Sequence, residues 1–159
     1  MKKMRLVLFF AMVLIDVQLA QSQGLQDRVK IGGYIGENHM HRGLRGGVFG
    51  EFEVNEKAFL SAGAFLTVVS KQHAYRGGDL NFNYYFLKSK YDVYGLAGLN
   101  LSKGKNYRHS DVGMNMGIGT QFHLRQIEPF AEIKYIQIIG GRLFFYDNLG
   151  LSVGVKYRI

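Results

Sequence analysis

The stretch Asp147-Asn-Leu-Gly-Leu-Ser-Val-Gly-Val-Lys-Tyr-Arg-Ile159 decides the fold. Every second residue is apolar or aromatic: Leu149, Leu151, Val153, Val155, Tyr157 and Ile159. Between them stand Gly150, Ser152, Gly154, Lys156 and Arg158, all small or charged. A period of two places each set on its own face of a β-strand. One face is wholly apolar, so it needs burial, and its place at the end of the chain suggests the closing stave of a membrane β-barrel.

The same alternation recurs upstream. Val29, Ile31, Gly33 and Ile35 interleave with Arg28, Lys30, Gly32 and Tyr34. Further segments begin near Val48, Leu60, Leu80, Val93, Val112 and Ala131, which with the terminal strand makes about eight. In the seventh segment Ile136 falls on the polar face and Gln137 on the apolar one, which predicts an end or a bulge after Tyr135. The segments reach about ten residues, the length a tilted membrane strand needs. The connections alternate too. Asn55-Glu56-Lys57, Lys88-Ser89-Lys90 and Leu124-Arg125-Gln126 read as tight turns, and 37–46, 70–78, 102–110 and 138–147 as longer loops. Short turns on one rim and long loops on the other suit an outer-membrane barrel, with both termini on the periplasmic, short-turn side.

Residues 1–22 read as a cleaved signal peptide. Lys2, Lys3 and Arg5 precede an apolar run from Leu6 to Ile15, too short to span a bilayer as a helix, and Ala20-Gln21-Ser22 offers a small-x-small site. Cleavage is expected after Ser22, with Ala20 as the alternative, leaving 23–159 as one barrel domain. Beyond it no apolar run approaches the length of a membrane helix. The chain of 159 residues has no Cys, which removes disulfides and thiolate chemistry, and 21 Gly with Phe and Tyr as its only aromatics, which suits tightly packed strands. The net charge of +8 is not gathered in one run, and a signal peptide would carry the chain away from nucleic acid, so no nucleic-acid partner is expected.

In hydrocarbon no strand edge can stay open, so the sheet must close, and the non-apolar face must line the lumen. With eight strands that bore is just wide enough for side chains to fill. The expected lumen set is Arg28, Lys30, Glu51, Glu53, Asp92, Glu128, Glu132, Lys134, Lys156 and Arg158. Buried charges must be paired. Hairpin register puts Lys30 opposite Glu51 and Glu53, and Glu128 near Lys156 and Arg158. Closure of the last strand on the first brings Arg158 and Lys156 beside Arg28 and Lys30. The expectation is an ion network plugging the periplasmic end, its cations flanked by Glu53 and Glu128; loosely solvated charges in a wet lumen are the alternative.

These features together resemble the small Gram-negative outer-membrane barrels of the OmpA/OmpX type. The signal peptide, Glu-Pro-Phe-Ala-Glu-Ile-Lys-Tyr at 128–135 and the C-terminal pattern Ser152, Gly154, Tyr157 and Ile159 carry the resemblance, which covers 27–159. It implies an all-β fold, a closed antiparallel transmembrane β-barrel of eight strands. It also implies recognition of the C-terminal pattern by the barrel-insertion machinery. The family usually ends in Phe where this chain has Ile159.

No complete nucleophile–base constellation stands out. Ser70 lies near His73 and His109 beside Ser110, but adjacent residues of a strand point to opposite faces. His123 sits near a turn with no Ser within two residues. His39-Met40-His41, with Glu37, has a spacing that could hold a transition metal, but loop histidines are more often simply solvated. No enzyme activity, metal or cofactor is expected. The long loops are basic: Arg42, Arg45, Lys71, Arg76, Lys103, Lys105, Arg108 and Arg142, interleaved with Tyr75, Tyr107 and Phe144-Phe145-Tyr146. Such a rim attracts the phosphates of lipopolysaccharide or another polyanion, or serves only solubility and lipid anchoring. The reading is a monomeric envelope barrel with a filled lumen. A narrow channel and a soluble barrel with an apolar ligand inside are the alternatives.

Overall fold

The computed structural model describes residues 28–38, 43–69, 74–104, 110–139 and 147–159. It contains eight strands: β1 (Val29–Asn38), β2 (Gly43–Asn55), β3 (Ala58–Val68), β4 (Ala74–Leu87), β5 (Tyr91–Gly104), β6 (Asp111–Phe122), β7 (Ile127–Ile139) and β8 (Asp147–Arg158). Each pairs antiparallel with its neighbour, and β8 returns to β1 to close the barrel. Closure removes the last unpaired edge, which hydrocarbon would not tolerate.

Alternation assigns the faces. Exposed Ile31, Val48, Leu66, Phe82, Leu99, Met116, Ile133 and Val153 represent an outward apolar row on every strand. The inward rows carry Lys30, Glu51, Ser61, Asp79, Asp92, Asn115, Glu128 and Lys156, all buried. This is a polar core inside an apolar wall, the inverse of a soluble barrel, and it removes the apolar-ligand reading.

The strands run further than the alternation predicted. β1 and β2 remain paired to Asn38↔Gly43, so much of the expected 37–46 loop is ladder. β4 starts at Ala74, β5 continues to Gly104 and β7 to Ile139, each inside an expected loop. Backbone pairing does not require apolar side chains, and Gly43, Gly46, Gly77 and Gly78 hide the period while leaving the ladder intact. The expected irregularity after Tyr135 is absent: Asn115↔Ile136 and Met114↔Gln137 continue the register. Ile136 is buried in the lumen, where an apolar filler packs as well as a polar one. The bulges lie elsewhere, between Glu53 and Asn55 and between Tyr85 and Leu87, both beside short turns.

Glycines make room for the lumen's aromatic rings. Phe49 lies directly across from Gly32 on one side and Gly63 on the other, Phe130 from Gly154, and Tyr94 from Gly119. A Cβ on Gly32, Gly63, Gly119 or Gly154 would meet the facing aromatic side chain. Each ring therefore lies flat over a neighbour that has no side chain, which lets bulky groups fill a narrow bore.

Candidate functional site

Inward positions near the short-turn rim converge on a buried ionic cluster. Lys156 of β8 donates from Nζ to Glu51 Oε2 at 2.9 Å and to Gln121 Oε1 at 2.9 Å, with the Tyr85 hydroxyl 3.2 Å away. Lys30 of β1 donates to Glu128 Oε2 at 2.7 Å and stands 3.8 Å from Glu51. Arg158 Nη2 donates to the other Glu128 oxygen at 2.6 Å. Glu51, Glu128, Lys30 and Lys156 are each at most 3% exposed. Each of these charges is paired inside the barrel, as their burial demands.

His123, in the turn between β6 and β7, links this cluster to a further carboxylate. Its Nδ1 lies 2.9 Å from Glu128 Oε1 and its Nε2 2.7 Å from Asp92 Oδ2. Ionised carboxylates only accept, so only the ring with both nitrogens protonated donates to both. Asp92 also accepts from Gln121 Nε2 at 3.0 Å and from the Ser89 amide at 3.0 Å. The role of His123 is not legible in the sequence, because its partners lie 5 and 31 residues away.

A second ionic layer sits toward the loop-side rim. Arg45 Nη2 donates to Asp79 Oδ2 at 2.6 Å, its Nε donates to the Tyr34 hydroxyl at 3.1 Å, and its guanidinium lies 3.6 Å from the Phe65 ring centroid. Asn100 and Asn115 donate to the other Asp79 oxygen at 2.5 and 3.1 Å. Lys134 and Glu132 face each other at 3.4 Å, and the Tyr94 hydroxyl donates to Glu132 at 2.8 Å. Phe59, Tyr85, Tyr94 and Leu96 form a buried cluster beside the Lys156–Glu51 pair, and Lys88 of the short turn lies over the Phe59 and Tyr85 rings. Two internal voids, of ≈20 and ≈30 Å³, have room for about one or two waters each.

The expected lumen residues therefore divide. Lys30, Glu51, Glu128, Lys156 and Arg158 meet in one cluster, and Glu132 pairs with Lys134 in the other layer. Arg28 and Glu53 correct the expected set: Arg28 is exposed, Glu53 is half-buried, and neither forms an ion pair among the described residues. They stand at the edge of the bore, and Glu51 occupies the place expected of Glu53. Asp79 was not foreseen because the preceding segment read as loop.

Arg45 is a correction of another kind. Expected on the external rim, it points inward because β2 already begins at Gly43, which gives Arg45 the same face as Glu51. Arg76 and Lys103 do face outward, as Cα partners at the loop-side ends of β4 and β5. Arg42, Lys71, Lys105, Arg108 and Arg142 lie outside the described residues, as do the signal peptide, His39, His41, His73, His109 and the 144–146 aromatics. In the C-terminal pattern Ser152 and Gly154 take the inward face. Tyr157 faces outward, and its hydroxyl donates to Gln126 at 3.1 Å.

On the outer wall, an open groove of ≈550 Å³ lined by Phe82, Tyr84, Ala97, Met116 and Tyr135 faces the hydrocarbon. It holds no converging polar groups. Among the described residues no group of three metal-ligating side chains occurs.

No family model and no curated protein sequence matches the chain. Solved structures do. The N-terminal β-barrel domain of Pseudomonas aeruginosa OprF superposes with a TM-score of 0.65 at 15% identity, covering 83% of this chain and 97% of that one. Neisserial surface protein A gives 0.65 at 14% identity, over 83% and 95%. A de novo designed transmembrane β-barrel gives 0.57 at 11% identity, over 84% and 96%. The closed eight-stranded ladder, the apolar wall and these superpositions agree: the chain has the fold of the small eight-stranded outer-membrane β-barrels.

Proposed function

We propose that this protein is a monomeric structural component of the Gram-negative outer membrane, with a closed lumen and a basic loop-side rim that contacts lipopolysaccharide phosphates. The observation that carries this reading is the double seal. Two ion-paired layers and a buried aromatic cluster fill the bore, and Glu51, Glu128, Lys30 and Lys156 are almost fully withdrawn from solvent. A conducting pore needs mobile water where Lys156, Glu51 and Tyr85 interlock. On this reading the short turns and both chain termini face the periplasm. Tyr157 and Ile159 present the outward part of the pattern read by the insertion machinery.

Arg76 and Lys103 support the lipopolysaccharide contact. They are paired neighbours, point away from the lumen, and sit above the outward leucines Leu80, Leu99 and Leu101, at a level suited to outer-leaflet phosphates.

The test is conductance in planar bilayers, combined with lipopolysaccharide binding. The refolded protein is expected to give no step conductance, and R76Q/K103Q to bind lipopolysaccharide several-fold more weakly. Regular single-channel steps would replace the structural reading with a narrow channel. Unchanged binding by R76Q/K103Q would remove the proposed contact.

A further inference from the structure

The short-turn rim carries a second concentration of charge that the ionic lumen does not use. Arg28, Lys57, Lys88, Lys90 and Arg125 are exposed there, and Glu56 is the exposed carboxylate among the described residues of that rim. None of these cations forms an ion pair among the described residues, whereas the neighbouring Lys30, Lys156 and Arg158 are committed to Glu51 and Glu128.

Immediately below them the outer wall is aromatic. Tyr84 and Phe86 lie 5.5 Å apart and Tyr91 and Phe122 4.8 Å apart by ring centroids, with Tyr157 exposed on β8. Tyr and Phe in this position mark the level of the membrane–water interface. The Lys90 ammonium lies 5.5 Å from the outward Phe122 ring, so its stem lies along the belt with its charged end at headgroup depth. Lys88 instead turns over the mouth of the bore, donating to the Glu56 carbonyl and lying 5.3 Å from the lumen-facing Phe59 ring.

Arg125 adds a separate observation. Its φ of 57° is the left-handed conformation that Gly and Asn adopt more readily. The turn therefore carries a cationic side chain at a position whose backbone favours another residue, so backbone preference does not explain the arginine.

We propose that the short-turn rim is a binding surface for the phosphates of anionic phospholipids in the leaflet that surrounds it. Unpaired cations set directly above an aromatic belt match a headgroup whose phosphate sits above its glycerol and acyl chains. A cell-wall polymer would also supply anions, but the belt beneath the cations favours lipid. The inference rests on the proposed periplasmic placement of the short-turn rim and not on the lipopolysaccharide contact, which lies on the opposite rim.

The test is native mass spectrometry of the full protein, purified in neutral detergent and mixed with phosphatidylglycerol or phosphatidylcholine. Heat-dependent gel mobility verifies that each variant is folded. The wild type is expected to retain phosphatidylglycerol in preference to phosphatidylcholine. A cation near an anionic surface contributes roughly fivefold, so K57Q/K90Q/R125Q should lower retention on the order of a hundredfold. M116L, in the middle of the outer wall and away from both rims, should retain the lipid as the wild type does. Should the triple variant not fold, Arg125→Asn suits the left-handed backbone and should lower retention about fivefold. Equal retention of the two lipids, or a folded triple variant that binds as the wild type does, overturns the proposal. So does binding to isolated cell wall that the triple variant abolishes while phosphatidylglycerol retention is unchanged.

Discussion

Lys156 and Glu51 stand 105 residues apart in sequence and 2.9 Å apart in the lumen, both almost fully buried. The pair spans the closing seam, with Glu51 on β2, Lys156 on β8 and β1 between them. It forms only if β8 closes on β1 in the register Lys30↔Arg158, since a slip of one residue would turn Lys156 toward lipid. The ion pair therefore reports correct closure as well as filling the bore.

Removing one partner is expected to cost more than removing both. Lys156→Met leaves Glu51 buried beside Tyr85 and Asn83 without its nearest cation, and should destabilise the barrel by about 3–5 kcal/mol. Adding Glu51→Gln should recover a substantial part of that loss. Urea unfolding in lipid vesicles, followed by gel mobility, gives both values, and an unshifted midpoint for Lys156→Met would mean that the pair does not support closure.

The two layers should seal independently. R45A/D79A removes the principal pair of the loop-side layer, but Lys30, Lys156, Glu51 and Glu128 stay interlocked. This variant is expected to remain silent in planar bilayers. Step conductance from it would locate the only effective barrier at Arg45.

The outer wall should reject charge according to depth. Met116 lies mid-strand and 60% exposed, with its side chain toward hydrocarbon. Met116→Lys should destabilise by about 2–4 kcal/mol in vesicles. Met116→Leu, which conserves volume, should change stability by less than about 1.5 kcal/mol. Equal stability of the two variants in urea titrations would contradict the assignment of that face.

The C-terminal pattern should separate into a packing part and a recognition part. A Cβ on Gly154 would press on the Gly33 carbonyl and the Phe130 ring, so Gly154→Ala should cost about 1–3 kcal/mol of stability. Tyr157 and Ile159 lie at the rim of the outward face, so Tyr157→Ala and Ile159→Ala should slow machinery-assisted insertion while moving the urea midpoint little. Ile159→Phe should speed insertion. Insertion kinetics into proteoliposomes containing the machinery, set beside urea titrations, distinguish the two effects.

Much of this architecture was readable in the chain. The period-two rows at 149–159, 93–101 and 112–122 set strand direction and face, because in a strand the side of each residue follows from parity alone. The tight turns at Asn55, Lys88 and Leu124 were legible for a similar reason, since polar residues interrupt otherwise apolar rows. Where glycine or a polar residue occupied both parities, as at Gly43–Gly47 and Arg76–Gly78, parity carried no signal. The strands there were read as loop, and Arg45 was consequently assigned to the wrong face.

Hairpin register already set Lys30 against Glu51 and Arg158 near Glu128, but the pairs Lys156–Glu51 and Lys30–Glu128 were decided by tertiary structure. Parity could place Lys30, Glu51, Glu128 and Lys156 inside, but their pairing depends on the register of every hairpin and on closure of the seam. His123 has no strand parity because it lies in a turn, and its bond to Asp92 exists only because β5 and β6 align Asp92 with Gln121. Glycine beneath each aromatic ring is likewise a relation between neighbouring strands. Composition and alternation act locally and so determined a closed apolar-walled barrel; the sealed ionic core depends on contacts between residues up to 105 positions apart, which only the folded register brings together.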